Sequence, residues 1–125
     1  MQNVLAELAL ESEAATALAL RLARSVDRSE SGKQGEGTVA SDDNDDDDSL
    51  AHETALRRVL TPLAKFWICK RGSHVAQEAM ECMGGNGYVE EGLAARLYRE
   101  LALNAIWEGS GNVMALDAGE ASDVG

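Results

Sequence analysis

Apolar side chains recur at steps of three, four and seven residues along most of this chain, and no segment alternates apolar and polar residues over enough positions to suggest a β-strand. Steps of this size place the apolar residues on one face of an α-helix. Aromatic residues make up only 4% of the 125 residues, so the core must consist of aliphatic side chains and many alanines. Small side chains let helices approach closely. The pattern therefore predicts an all-α fold, an up-and-down bundle of four to five helices.

The first predicted helix spans residues 2–26. It contains no glycine or proline, and its acidic residues come early while its basic residues come late, as the helix dipole favours. Its apolar face consists of Val4, Leu8, Ala15, Leu18, Leu22 and Val26.

Two further helices are predicted on either side of the single proline. Ser49 is a suitable N-cap for a short helix over residues 50–60. Thr61 is a suitable N-cap for a second helix that begins at Pro62, because proline is best tolerated at the first helical position. This longer helix is expected to end near Met83.

Glycines mark the features of the second half of the chain. Gly72 lies inside the long helix, where glycine costs about 1 kcal/mol relative to alanine, and we expect a close helix crossing to compensate. Gly84 and Gly85 end this helix. After a loop, the pattern predicts a helix over residues 93–103 and a last helix that begins near Ser110.

Residues 27–49 differ from the rest of the chain in composition. They carry nine acidic residues against Arg28 and Lys33, a net charge of −7 out of −11 for the whole chain. Such a segment cannot bury enough apolar surface to offset the entropy lost on ordering, so we expect a disordered acidic loop. A surface this acidic also repels phosphate backbones, which argues against nucleic acid as a partner.

A calcium loop is an alternative interpretation of the same acidic segment. Five oxygen-bearing residues occupy positions 1, 3, 5, 7 and 12 of the calcium-loop pattern, but position 6, which needs glycine for a sharp turn, is Asp47. Runs of aspartate also match spaced patterns by accident. The solvated loop is therefore preferred and no metal site is predicted. The five residues are Asp42, Asn44, Asp46, Asp48 and Glu53.

Other features narrow the class of protein. No apolar run approaches the roughly 20 residues that span a bilayer, so no membrane partner is predicted. Cys69 and Cys82 lie on one predicted helix about 20 Å apart along its axis. A disulfide between them is therefore disfavoured, and two free thiols indicate a reducing compartment inside the cell, with cytosol, mitochondrion and peroxisome all open. Five basic residues are expected to be solvated, with stems that cover apolar surface: Arg57, Arg58, Lys65, Lys70 and Arg71.

Two glycine-rich motifs carry the candidate chemistry. In the first, Gly84-Gly85-Asn86-Gly87, the backbone can approach a ligand closely. A dinucleotide or phosphate loop would follow a strand, however, and this motif follows a helix, so a helix stop is the simplest interpretation. In the second, Glu108-Gly109-Ser110-Gly111-Asn112, a carboxylate stands just before a helix. An acid that favours the helix N-terminus is the simplest interpretation there.

With their surroundings, the two motifs resemble the C-terminal domain of the acyl-CoA dehydrogenase family. Gly-Gly-Asn-Gly, Arg-Glu and Trp-Glu-Gly-Ser occur in the family's order, and the sequence is most similar to the branch of the alkylation-damage adaptive-response proteins. The stretches that carry the resemblance are 60–71, 81–91, 96–100 and 104–114.

The resemblance also implies a domain organisation. It covers about 1–26 and 50–117, so we expect one domain over 1–117, with 27–49 as an insertion. After Asp117 the sequence departs from the family pattern, and we expect an atypical flexible tail over 118–125.

The resemblance implies an FAD-binding flavoprotein that removes two hydrogens from an acyl-CoA thioester, usually as a homo-oligomer, a dimer or a tetramer. Glu108 matches the catalytic base, which takes the α-proton while a hydride goes to the flavin. The positions that match FAD contacts are Gly84, Gly85, Ser110 and Asn112, and the glycine turn would face the FAD of a neighbouring subunit. Trp107 and Gly109 match positions beside the substrate.

The sequence therefore predicts the C-terminal domain of an acyl-CoA dehydrogenase-like oxidoreductase of fatty acid metabolism. Most of the family's flavin and acyl-CoA pocket belongs to domains outside these 125 residues, so we expect the chain to be an incomplete piece with little or no dehydrogenase activity alone. In this branch of the family, DNA binding is attributed to a basic C-terminal region. This sequence lacks that region, so the resemblance does not imply DNA binding here. The alternative function is a non-enzymatic helical module that joins other proteins through an exposed apolar face.

Overall fold

The computed structural model describes residues 1–34 and 44–122, with side chains described for 1–31 and 48–121. In these residues there are five α-helices and no strand, so the predicted all-α fold of four to five helices is confirmed. The helices are α1 (Gln2–Gln34), α2 (Asn44–Cys82), α3 (Gly85–Tyr88), α4 (Leu93–Asn104) and α5 (Gly111–Ser122).

The long helix α2 is the element on which the others pack. Among the described residues, α1, α3, α4 and α5 all contact α2, and the one other contact between helices joins α3 to α4. α1 runs antiparallel to α2, because Glu11 meets Arg71 in the second half of α2 while Arg21 meets Glu53 near its start.

The helices α4 and α5 follow one another back along α2. Leu101 of α4 lies against Gly72, and the first residue of α5, Gly111, lies against Phe66. A Cβ atom at Gly72 would be 3.2 Å from Leu101 Cδ2, so the predicted close crossing at this glycine is confirmed. Further along α5, Glu120 shares a surface depression with Thr54 of α2.

The acidic segment is more helical than we predicted. The loop expected over 27–49 is wrong at both ends, because 27–34 belong to α1 and 44–49 belong to α2. Ser29 is 1% exposed and its hydroxyl bonds to a side chain of α2. This tertiary contact outweighs the weak helix preference of the composition. Residues 35–43 lie outside the described part of the chain.

The C-terminal helix α5 extends into the segment that we expected to be a flexible tail, 118–125. Ala118 is 7% exposed, and the helix continues to Ser122. Residues 123–125 lie outside the described part of the chain.

The helix break predicted at Pro62 is wrong, because α2 is continuous through this residue. Proline lacks an N–H group, so the carbonyl of Arg58 loses its usual partner, and a proline inside a helix costs about 3 kcal/mol. The Thr61 hydroxyl donates a hydrogen bond of 2.7 Å to the Arg57 carbonyl, one residue before the carbonyl that loses its partner. Pro62 is buried, and the packing of α1 and α5 on α2 outweighs the lost bond.

The buried apolar positions hold only small side chains. In the described part of the chain they are Ala64, Ala76, Ala95 and Ala118, while every leucine, isoleucine, phenylalanine and tryptophan keeps part of its surface exposed. Alanines at the contacts let the helices approach closely, and the larger side chains surround those contacts. The alanines predicted for the core are found there, whereas the larger aliphatic side chains predicted beside them stay partly exposed.

None of the helices in the described residues combines the length and the apolar character that crossing a bilayer requires.

A charged cluster joins α1 to α2. Glu53 is only 5% exposed. Its two carboxylate oxygens accept hydrogen bonds of 2.9 and 3.1 Å from Arg21, and one of them accepts a bond of 2.8 Å from the Ser25 hydroxyl. Arg28 adds a contact of 3.4 Å. The bonds from Arg21 and Ser25, followed by the positive charges of Arg21 and Arg28, lower the pKa of Glu53 from 4.5 to about 2.

The structure contradicts the calcium-loop alternative. Asn44, Asp46 and Asp48 lie within α2 and not in a loop. The carboxylate of Glu53 is engaged by Arg21 on both oxygens. Asp42 lies outside the described residues.

We predict that the free energy of unfolding falls as the pH drops from about 4.5 to about 2. The unfolded chain binds the Glu53 proton first, because the folded pKa is the lower one, so this contribution is present above the unfolded pKa and is lost below it. A Glu53→Gln variant should be less stable at pH 7 and should depend less on pH in this window. Urea unfolding followed by circular dichroism measures both.

The matched control for this prediction is Glu90→Gln. Glu90 pairs with Arg99 at the surface, where its side chain is 73% exposed. Exposed ion pairs contribute about 0–1 kcal/mol, so this variant should behave like the unaltered chain at pH 7. Equal pH slopes for Glu53→Gln and the unaltered chain would contradict the prediction.

Candidate functional site

The turn between α4 and α5 carries the candidate base. The last carbonyls of a helix have no intrahelical donor. Here the N–H groups of Ile106 and Trp107 both bond to the Leu103 carbonyl, at 2.9 and 3.3 Å, which tightens the end of α4. The chain then reverses at Glu108 and Gly109, whose φ angles are +53° and +110°.

Glu108 is the one residue other than glycine with a positive φ among the described residues. This conformation costs a residue with a side chain about 1–2 kcal/mol, so the surroundings must hold the backbone in place. The side chain of Glu108 is exposed, and its carboxylate forms no hydrogen bond or ion pair in the described part of the chain. The candidate base is therefore presented outward and is free to meet a ligand.

Lys65 of α2 holds the turn. Its ammonium group donates hydrogen bonds to the carbonyls of Asn104 at 2.7 Å, Trp107 at 3.0 Å and Gly109 at 3.1 Å. These bonds use all three donors of a lysine, and they place a positive charge at the C-terminus of α4, as the helix dipole favours. The expectation that Lys65 is solvated is therefore wrong.

Two glycines after Glu108 are required by close contacts. A Cβ atom at Gly109 would lie 2.4 Å from Met114 Cε, and one at Gly111 would lie 2.5 Å from Lys70 Cε. Both distances are far below van der Waals contact. The contact at Gly109 is with α5 and the contact at Gly111 is with α2, and the space that Gly109, Gly111 and Met114 line with α2 has no room for a water molecule. A ligand for Glu108 must therefore approach from the outer side.

The other predicted side chains of this motif, those of Trp107, Ser110 and Asn112, are also exposed. The Trp107 indole donates a hydrogen bond of 3.0 Å to the Asn104 side chain, and the ring is 54% exposed. The side chains of Ser110 and Asn112 are exposed at the start of α5. The structure thus brings the predicted residues from 107 to 112 together at one open turn.

The other motif ends α2, as predicted. Gly84 has a φ of +59°, which favours glycine. A Cβ atom at Gly87 would be 2.2 Å from the Met80 carbonyl oxygen, so glycine is required there too. Gly85 has a negative φ and nothing within 4 Å of a Cβ atom, so no contact within the chain requires its glycine. The backbone at Gly84 and Gly85 is open to an approaching ligand.

The two motifs do not form one site within a single copy of the chain. Lys65, which holds the Glu108 turn, and Cys82, which precedes the glycine turn, are both in α2. They are about 26 Å apart at 1.5 Å per helical residue. The predicted base and the predicted glycine contacts to FAD therefore lie near different parts of α2.

Residues 1–122 match the family model described as acyl-CoA dehydrogenase, C-terminal domain. The chain belongs to the acyl-CoA dehydrogenase family. It is 46% identical over 117 residues to the putative acyl-CoA dehydrogenase AidB of Escherichia coli K12, an alignment that covers 94% of this chain and 18% of that protein. The predicted resemblance, including its branch, is confirmed.

A second relative agrees with this family assignment, and a solved structure shares the fold. The chain is 37% identical over 65 residues to acyl-CoA dehydrogenase family member 11 of Caenorhabditis elegans, which covers 52% of this chain and 10% of that protein. The solved apo form of Bd2924 matches with a TM-score of 0.75 and 30% identity, over 98% of this chain and 21% of that one. The chain thus spans about a fifth or less of the length of these relatives.

We predict that replacing Glu108 with glycine stabilises the chain. Glycine adopts a positive φ without the cost of about 1–2 kcal/mol, and its larger entropy in the unfolded chain offsets about 0.5–1 kcal/mol of that gain. The free energy of unfolding in urea should therefore rise by about 0.5–1 kcal/mol. The matched control is Glu100→Gly, inside α4, which should lose about 1 kcal/mol. A similar loss in both variants would show that Glu108 is not strained.

Proposed function

We propose that this chain is the C-terminal domain of an FAD-dependent acyl-CoA dehydrogenase-like flavoenzyme, and that Glu108 is its catalytic base. The observation that carries the proposal is the exposed, unpaired carboxylate of Glu108 on a turn whose backbone is fixed by Lys65. Membership of the family supplies the class of reaction, the α,β-dehydrogenation of acyl-CoA thioesters.

The chemistry requires a base that is aimed at a weakly acidic proton. In this proposal the Glu108 carboxylate takes the α-proton of the thioester, and geometry held before the substrate arrives lowers the barrier. A bound FAD would supply the acceptor for the hydride that leaves the β-carbon. Ile106 and Trp107 flank Glu108 with apolar side chains that are 66% and 54% exposed. When other domains cover these side chains, they exclude water from the base.

The residues present fit a flavin cofactor at two places. The open backbone at Gly84 and Gly85 suits the close approach of a pyrophosphate, because no side chain fills that space. The hydroxyl of Ser110 and the amide of Asn112 are exposed beside Glu108 and can donate hydrogen bonds to a cofactor. Since the two places are about 26 Å apart along α2, the proposal assigns them to cofactors of different subunits in a homo-oligomer of the full-length protein.

The same geometry supports the proposal that the chain alone has little or no dehydrogenase activity. Glu108 is open to water, and the space beneath its turn is filled. The walls that would enclose a flavin and an acyl-CoA thioester must come from parts that the longer relatives have in addition.

A second candidate function is a non-enzymatic helical interaction module. Large apolar side chains on α4 and α5 are exposed, and exposed apolar surface marks an interface where it collects into a patch. This observation favours association with another protein surface but identifies none. The side chains are Leu93, Leu97, Leu103, Val113 and Leu116, with exposures between 45% and 69%.

We predict that the purified chain mixed with FAD forms no stoichiometric yellow complex and does not oxidise butyryl-CoA or octanoyl-CoA. The physical reason is that most of the cofactor's surface would stay in water. Absorbance spectra after gel filtration measure bound flavin, and light scattering on the same sample measures mass. A yellow complex with turnover would contradict the proposed inactivity, and a dimer without flavin would favour the interaction module.

We predict that residues 1–122 can replace the matching C-terminal region of the E. coli relative, and that this chimera binds as much FAD as the unmodified relative. In the chimera, Glu108→Gln should keep the flavin and slow its anaerobic reduction by acyl-CoA about 10²–10⁴-fold, the usual contribution of a positioned base. Stopped-flow absorbance measures the rate against the unmodified relative.

Two matched variants sharpen this test. Glu100 is an exposed acid on α4, and in the Glu100→Gln variant the flavin should be reduced at the unaltered rate. Gly85→Ala should leave the melting temperature unchanged, because its methyl group meets nothing within the chain, but it should weaken flavin binding. Unchanged reduction in Glu108→Gln would refute the assignment of the base.

A further inference from the structure

Lys65 differs from the other basic residues of α2 in what it contacts. Arg57 and Arg71 pair with carboxylates of α1. Lys65 instead donates only to backbone carbonyls, those of Asn104, Trp107 and Gly109. Its partners lie 39 to 44 residues further along the chain, so the interaction joins the middle of α2 to the turn that carries Glu108.

The three acceptors fix the backbone on both sides of Glu108. The carbonyl of Trp107 belongs to the peptide group whose nitrogen is that of Glu108, and the carbonyl of Gly109 belongs to the second peptide group after it. When one ammonium group holds both carbonyls, the φ and ψ angles of Glu108 and Gly109 cannot change independently. The bonds to these carbonyls, 3.0 and 3.1 Å long, therefore determine the direction in which the Glu108 side chain leaves the backbone.

Lys65 acts on the backbone and not on the carboxylate itself. No ion pair joins Lys65 to Glu108 in the described part of the chain, and the Glu108 carboxylate is left without a partner. A lysine that paired with the carboxylate would compete with a substrate for it. Here the Lys65 ammonium bonds to carbonyls at the α4 terminus and in the turn, so the Glu108 carboxylate stays available.

We infer that Lys65 is a positioning residue for Glu108: it holds the strained turn so that the carboxylate points outward toward the substrate. The part of this inference that concerns the substrate rests on the proposed function. The anchoring of the turn does not, because it follows from the hydrogen bonds alone. The two parts can therefore be tested separately.

The anchoring is tested on the chain itself. Lys65→Met keeps the length of the stem and removes the three donors. The chain has two tryptophans, and the indole N–H of Trp107 reports the turn while that of Trp67 on α2 serves as an internal reference. In NMR spectra of Lys65→Met, the Trp107 indole signal should shift and its hydrogen exchange should accelerate about tenfold or more, the expected effect of losing an ordering contact. The Trp67 signal should not change.

The matched control is Arg58→Met, on the same helix. The guanidinium of Arg58 has no hydrogen-bond or ion-pair partner in the described residues, so this variant removes a charge and leaves the turn anchored. Lys65→Arg should give an intermediate result, because a planar guanidinium keeps the charge but cannot direct its donors at three converging carbonyls as an ammonium can. Full restoration by arginine would show that the charge alone acts and would overturn the inferred geometry.

The positioning role is tested in the chimera with the E. coli relative. The Lys65→Met chimera should retain stoichiometric FAD. Its dissociation constant for butyryl-CoA or octanoyl-CoA should be nearly unchanged. The limiting rate of flavin reduction should fall about tenfold to a hundredfold, the effect of a base displaced by about 1 Å. A role confined to stability would lower flavin content and melting temperature and leave the limiting rate per bound flavin unchanged, which would overturn the inference.

The outcomes separate this inference from the proposed function. If Glu108→Gln reduces flavin normally, the proposed function fails, and the Trp107 signal still decides whether Lys65 anchors the turn. If Glu108→Gln abolishes reduction but Lys65→Met changes neither the Trp107 signal nor the reduction rate, the inference about Lys65 alone is wrong.

Discussion

The packing of every other helix on α2 is the constraint on which the structure depends. Within the described residues, α1 does not touch α4 or α5, so their relative positions are set only through α2. Glu53, Lys65 and Gly72 each hold a different partner at successive points along this helix. A break at Pro62 would separate Glu53 from the other two. The continuity of α2 therefore fixes both the hairpin with α1 and the place of the Glu108 turn.

Local patterns in the sequence predicted the features that depend on neighbouring residues. The helical class, the end of α2 just before Gly84 and the close crossing at Gly72 follow from periodicity and from the properties of glycine. The errors lie where distant contacts override local preference. Pro62 is held inside a helix by packing, and Ser29, in a segment of loop-like composition, is buried against α2. Neither contact is visible in the spacing of residues along the chain.

In the candidate site, too, local features could be predicted from the sequence and long-range contacts could not. The motif with Glu108 was found because it resembles a family, and its residues do share one exposed turn. The strained φ of Glu108 and its anchor Lys65 could not be predicted, since the partner carbonyls are 39 to 44 residues away. The glycines of the motif at residues 84–87 are present for different reasons. Gly87 is required by contact with Met80, whereas at Gly85 no contact within the chain explains the glycine.

The placement of strain relative to the core bears on what the domain is built to do. Its buried apolar positions are alanines, so little stability is available to support a backbone conformation that costs about 1–2 kcal/mol. The conformation persists at Glu108 because Lys65 supplies three hydrogen bonds at that point. A turn needed only to connect two helices would place glycine there, as it does at the next residue, Gly109. An acidic side chain in this position, beside exposed Ile106 and Trp107, supports the proposed contact with a bound molecule, because the folding of the chain alone would favour glycine there.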